Sequence, residues 1–147
     1  MIRLKTFQEF LKEGVARKTT PDKQRSESLI AEAERKNGSL NENVEKIGIK
    51  DENANDYVEY CYDIMLFLVR AKLYAAGYST SGQGAHEAEV SYMRELGFKE
   101  TDVEFANQLR YFRNGILYYG KRLDAEYAKK VLGFLKRIYP MLLKDII

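Results

Sequence analysis

Between Tyr57 and Ala75 the apolar residues recur at helical spacing: Tyr57, Tyr60 and Cys61, Ile64, Phe67 and Leu68, Ala71, then Tyr74 and Ala75, until Gly77 stops them. A stripe of that length predicts a central core helix against which the rest of the chain must pack. The remainder also reads as helix, with Gly and Pro confined mainly to joints, and no strand signal competes.

Thr6 followed by Glu9 forms a capping-box pattern that opens a short helix to about Lys12, ended by Gly14. Thr20-Pro21-Asp22 reads as an N-cap with proline at the first helical position. That helix is expected to reach Lys36, where Asn37-Gly38 closes it, leaving 39–55 mostly as loop with one turn around Asn43 to Ile47. After the central helix, Ser79 to Gly84 make a small-residue turn, and Ala85, Ala88, Tyr92 and Leu96 mark a shorter helix ended by Gly97.

A fifth helix begins near Thr101 and turns Phe105, Leu109, Phe112, Ile116 and Tyr119 toward the core. The last starts at an Asp124 N-cap and aligns Ala128, Val131, Leu135, Ile138 and Leu142 on one stripe. Pro140 is expected to kink it, because the ring removes an amide donor and crowds the Lys136 carbonyl. Short joints favour antiparallel neighbours. The expected fold is therefore all-α: an up-and-down bundle of four to five helices with a short N-terminal helix, one domain over 1–147.

Composition narrows the chemistry. A chain of 147 residues is long enough to bury a core without metal or disulfides. The single cysteine, Cys61, falls inside the central apolar stripe, as a buried reduced thiol would. No apolar run approaches the roughly 20 residues that span a bilayer, and Met1 to Lys5 lead into a polar segment without a signal-peptide core, so the expected setting is cytoplasmic. Net charge is +2, yet residues 101–147 hold nine Lys/Arg against five Asp/Glu, while residues 1–100 hold 15 against 17. The basic last third permits contact with nucleic acid or nucleotide.

Most site classes fail quickly. There is no GxGxxG and no GxxxxGK[ST], nor a strand from which either would grow. One His and one Cys rule against a His/Cys metal site, Glu87 and Glu89 lack a second aligned pair, and no cofactor is expected. A nucleophilic triad would need His86 as its base, and His86 reads more simply as a packed or hydrogen-bonded residue beside the Gly-rich turn.

What remains is Arg110-Tyr111-Phe112-Arg113-Asn114-Gly115-Ile116-Leu117-Tyr118-Tyr119-Gly120, which sets two guanidinium groups on a largely apolar helix. Such groups are costly to bury unpaired and must meet water, an acid, a second subunit or an anionic ligand. Arg110, Asn114 and Tyr118 form one ridge at i, i+4 and i+8, with Arg113 and Leu117 on the next. Arg113 and Tyr118 diverge by about 140° on an ideal helix, so a shared site needs a distortion near Gly115 or a second copy of the helix. Otherwise the arginines pair with acids such as Glu59, Asp63 or Glu104 and stitch the bundle together.

Arg113-Asn114 followed by an aromatic pair, with the Tyr57 to Gly77 helix, Gly77-Tyr78-Ser79 and Ala85-His86-Glu87-Ala88, resembles the HEPN superfamily of small prokaryotic helical domains over about residues 20–146. The resemblance implies a dimeric bundle, and either a metal-independent ribonuclease with an Arg-x4-6-His motif or a module that binds nucleotide or accompanies a nucleotidyltransferase. It maps the motif arginine to Arg113 and the following polar residue to Asn114, while positions 118 to 120 hold Tyr118, Tyr119 and Gly120 in place of histidine.

An imidazole near neutrality can move a ribose hydroxyl proton, whereas a phenol, titrating near ~10, is a poor base. The expectation is a homodimeric, catalytically degenerate module of a toxin-antitoxin or nucleotidyltransferase-linked kind. It binds RNA or nucleotide phosphate through Arg113, with Arg110, Asn114 and Tyr118. The alternatives are a ribonuclease using Tyr118 or His86 as its base, and a protein-interaction bundle without ligand.

Overall fold

The structure is a computed structural model that describes residues 3–144, so the ends of the expected domain, including 145 and 146 of the HEPN-like stretch, lie outside the described residues. Among them are six helices: α1 (Phe7–Lys12), α2 (Lys23–Ile47), α3 (Ala54–Ala75), α4 (Ala85–Glu95), α5 (Glu100–Tyr119) and α6 (Ala125–Leu143). A 3-10 turn covers Asp51–Asn53, and β1 (Ala16–Lys18) pairs antiparallel with β2 (Tyr78–Thr80), Ala16 opposite Thr80. The fold is a helical bundle.

The centre of that bundle is α3, which packs against α2, α4, α5 and α6. It buries residues on more than one face, Val58, Tyr62, Met65, Leu66 and Val69 as well as the expected Tyr57, Cys61, Ile64, Leu68 and Ala71. Burial on that scale is the main driving force of the fold, at about 25 cal/mol per Å² of apolar surface removed from water. The stripe of α6 is buried as read, from Ala128 through Val131, Leu135 and Ile138 to Leu142, and the helix runs through Pro140 to Leu143.

Three local expectations are corrected. Pro21 precedes α2 rather than opening it, since Asp22 is the N-cap and accepts a hydrogen bond from the Arg25 amide at 3.0 Å. Asn37-Gly38 does not end α2, which continues to Ile47 and stops at Gly48 with φ +83°. A mid-helix glycine costs about 1 kcal/mol, and burying Leu40 and packing Val44 on the core outweighs it. Residues 39–55 are consequently the end of α2 up to Ile47, a short link, the 3-10 turn and the first two residues of α3. Finally, two short strands form where the sequence carries no strand signal: at three residues each they are too short to show alternation, and their pairing joins residues 60 to 64 positions apart.

Candidate functional site: the arginine helix and its two recesses

The first turns of α5 are fixed by burial of Val103, Ala106 and Leu109, and Arg137 of α6 donates to both oxygens of Asp102 at 2.6 and 3.2 Å. Beyond Leu109 the helix rises out of the core. Phe112 and Ile116 are half-buried, whereas Tyr111 (64 % exposed), Leu117 (49 %), Tyr118 (74 %) and Tyr119 (87 %) face solvent. Tyr119, expected in the core, is therefore the most exposed of them: helical spacing gives its angle, but the apolar neighbours do not reach that far along the axis. Gly120 ends the helix in the left-handed region at φ +62°, and Asn55 holds the following loop by hydrogen bonds with the Lys121 carbonyl and the Leu123 amide.

Arg113 turns toward α3. Its Nη2 lies 3.5 Å from Asp63 Oδ1, its guanidinium sits 5.4 Å from the centre of the Tyr62 ring, and its buried Nε has no partner among the described residues. Asp63 is shared, because Lys36 Nζ approaches Oδ2 at 3.1 Å. The groove beside this pair, about 420 Å³, is lined by Lys36, Asp56, Tyr57, Glu59, Tyr60 and Asp63. Burial pushes the Glu59 carboxyl up, against the pull of Arg113. With three carboxylates to one lysine on its walls, this groove disfavours a polyanion.

Arg110 turns the other way. Its Nε donates to Asn107 Oδ1 at 3.0 Å, and its Nη1 stands 3.9 Å from Glu87, a loose contact with a half-exposed acid. Here a cleft of about 570 Å³ opens, lined by Arg3, Leu4, Lys5, Glu87, Asn107, Gln108, Arg110, Tyr111 and Phe112. Its volume falls in the ordinary range of small-ligand pockets. Three cations face one carboxylate across walls of two aromatic rings.

The N-terminal wall of that cleft is tied down by Arg94, which donates to the Leu4 carbonyl at 3.0 Å and the Lys5 carbonyl at 2.7 Å. Glu100 in turn holds Arg94 through contacts of 2.7 to 3.2 Å. Arg3 and Lys5 were not singled out by the sequence, and no local signal marks them, since more than 100 residues separate them from Arg110. They also keep surface acids close, Glu9 at 3.6 Å from Arg3 and Glu13 at 2.9 Å from Lys5. Such exposed pairs are weak and exchange readily.

Of the four expected ligand residues, the structure brings Arg110 to the basic cleft, while Arg113 lines neither recess and only contacts Asp63 on the wall of the acidic groove. Asn114 is half-buried and Tyr118 projects into solvent, lining neither recess. The helix is unbroken at Gly115, so no distortion swings Tyr118 back toward Arg113. Within one chain these side chains do not share a site.

The other polar cluster is built on α4. Glu89 is buried, and its Oε2 accepts from Arg70 Nε and Thr80 Oγ1, both at 2.8 Å, while its Oε1 is 3.2 Å from His86 Nδ1. Burial alone would raise the Glu89 pKa, but the hydrogen bonds from His86, Arg70 and Thr80 outweigh it and hold the carboxyl below its usual range. Arg70 Nη2 also lies 3.2 Å from His86 Nδ1, a nitrogen that serves only one of these neighbours at a time. His86 is thus the hydrogen-bonded residue anticipated beside the Gly-rich turn. Among the described residues no group of three His, Cys, Asp or Glu side chains converges as metal ligands would, and no helix is long and apolar enough to cross a membrane.

No protein-family model matches the chain, and no curated protein or solved structure matches it either.

Proposed function

We propose that this protein is a HEPN-like, up-and-down helical module that binds the phosphate of RNA or a nucleotide, without nuclease activity, and that Arg110 is its principal anion contact. The observation that carries the reading is the cleft in which Arg110, Arg3 and Lys5 stand around Tyr111 and Phe112 with Glu87 the one carboxylate on its walls, the acids that pair Arg3 and Lys5 lying outside it. Arg113 has Asp63 as an internal counter-ion, so its part is to hold α5 against α3. Tyr118 and His86 lack a shared site with either arginine, which weighs against the ribonuclease alternative. The cytoplasmic setting and the toxin-antitoxin or nucleotidyltransferase-linked context belong to this reading and rest on the sequence resemblance.

Labelled single-stranded RNA titrated by fluorescence anisotropy tests it. Affinity should fall steeply between about 50 and about 200 mM salt, as phosphate contacts release counterions, and Arg110→Gln should weaken binding and lower the salt slope by about one. Binding by Arg110→Gln equal to that of the wild type, or no binding at low salt, would reject the proposal.

A second reading, self-association, is favoured by one observation: three of the six exposed large hydrophobic side chains among the described residues, Leu117, Tyr118 and Tyr119, are the last three residues of α5. Aromatic side chains flanked by arginine are the composition of an interface centre. The occupant proposed is a second copy of the chain, bringing two α5 helices together. Sedimentation velocity should show a dimer for the wild type and a monomer for Leu117→Asp/Tyr119→Asp; a monomeric wild type would remove this reading and leave the phosphate site standing.

A further inference from the structure

We infer that the Arg110 cleft takes an unpaired nucleobase as well as a phosphate, with Tyr111 as the stacking platform, so that its ligand is single-stranded RNA or a free nucleotide rather than duplex. The inference rests on the phosphate reading above and sharpens it.

Tyr111 is 64 % exposed although it lines the cleft, and its only ring neighbour among the described residues is Phe112, at 6.1 Å between centroids and 61° between planes. Most of the Tyr111 side chain is therefore open to solvent. Phe112 is itself braced, edge-on to Tyr127 at 5.2 Å and beneath Lys121 Nζ at 5.4 Å, which gives the platform a firm back. Arg110 is the preceding residue of the helix, and Asn107 Oδ1 accepts from its Nε, so that the Nη side of the guanidinium meets only the loose 3.9 Å contact with Glu87, which an anion can displace. The Asn107 amide nitrogen and the Gln108 side chain complete the same wall. An aromatic face, a guanidinium and two side-chain amides within one cleft match the three parts of a nucleotide: base face, phosphate and base edge.

A simple anion site would need no such ring, and a helical duplex keeps its bases inside the stack, out of reach of Tyr111. Stacking tolerates any base, so the ligand class is defined by strandedness rather than by sequence.

The test compares three polyanions on the full chain: single-stranded oligoadenylate carrying 2-aminopurine, a duplex RNA of the same length, and inorganic polyphosphate as a base-free control. The wild type should bind the single strand more tightly than either control and quench the 2-aminopurine. Tyr111→Ala should lose about ten-fold or more in single-strand affinity, together with the quench, while polyphosphate binding is unchanged; Tyr111→Phe should restore both. Tyr111 is exposed, so the substitution leaves the core intact, and a matching far-UV spectrum and melting temperature check this. Single-strand binding by Tyr111→Ala equal to the wild type, or tighter binding of duplex, overturns the inference and leaves the phosphate reading in place. Failure of all three polyanions to bind overturns both.

Discussion

Arg113 and Asp63 meet at 3.5 Å across α5 and α3, a long contact in which the arginine's buried Nε has no partner among the described residues while the aspartate is also held by Lys36 at 3.1 Å. The carboxylate has two cations and the guanidinium has an incomplete set of acceptors. Arg113 is therefore the replaceable member of the pair, and its neighbour three residues earlier, Arg110, opens onto a different recess.

Arg113→Ala should lower stability by only about 1 kcal/mol, because Asp63 retains Lys36 and the pair is partly solvated. RNA affinity should stay within about two-fold, whereas Arg110→Ala should show the reverse: little change in a urea melt and a clear loss of binding. Urea titrations and anisotropy on the same two variants separate the roles, and a larger binding loss at Arg113 would overturn the assignment of the site to the Arg110 cleft.

Glu89 should govern the acid side of the stability profile. Its folded pKa lies below the unfolded value, so it stabilises the fold at neutral pH, fully above about 4.5, and that contribution is lost as pH falls through the depressed value. Glu89→Ala leaves Arg70 without its buried acid and should cost about 3 kcal/mol at neutral pH. Urea midpoints measured from neutrality down to about pH 3 should fall less steeply for Glu89→Gln than for the wild type. Parallel profiles would show that Glu89 is not the group responsible.

Cys61 should be silent in the native state. Burial pushes its thiol up to about 12, and the reactive species is the thiolate. A disulfide reagent at pH ~8 should label no thiol in buffer and one per chain in urea, with the labelling midpoint following the unfolding curve. Rapid labelling without denaturant would contradict the packing around α3.

Gly77→Ala should cost more than Gly82→Ala. Both glycines have positive φ, +87° and +77°, but only at position 77 would a Cβ press on neighbours, 2.9 Å from the Thr19 carbonyl oxygen and 3.3 Å from the Pro21 ring. The same Thr19 donates its amide to the Gly77 carbonyl at 2.7 Å, so the backbone there has little room to yield. The backbone strain common to both is about 1–3 kcal/mol, and the clash adds to it at Gly77 alone. Comparing melting temperatures of the two variants isolates that excess.

The sequence by itself determined the helices whose burial is periodic: α3 through Tyr57 to Leu68, α6 through Ala128 to Leu142, and the caps at Thr6 and Asp124, which are reports of one residue on neighbours three or four positions away. Such signals are local, and a local breaker such as Asn37-Gly38 is overridden when Leu40 beyond it finds core to bury against. Only the tertiary structure decided how far each apolar face extends, leaving Tyr119 in solvent, and which charges meet across the fold. Asp63 reaches Arg113 over 50 positions, and Arg3 and Lys5 reach the Arg110 cleft over more than 100. Charge partners at such separations leave no periodic trace, because the packing of helices, rather than spacing along the chain, selects which side chains share a recess.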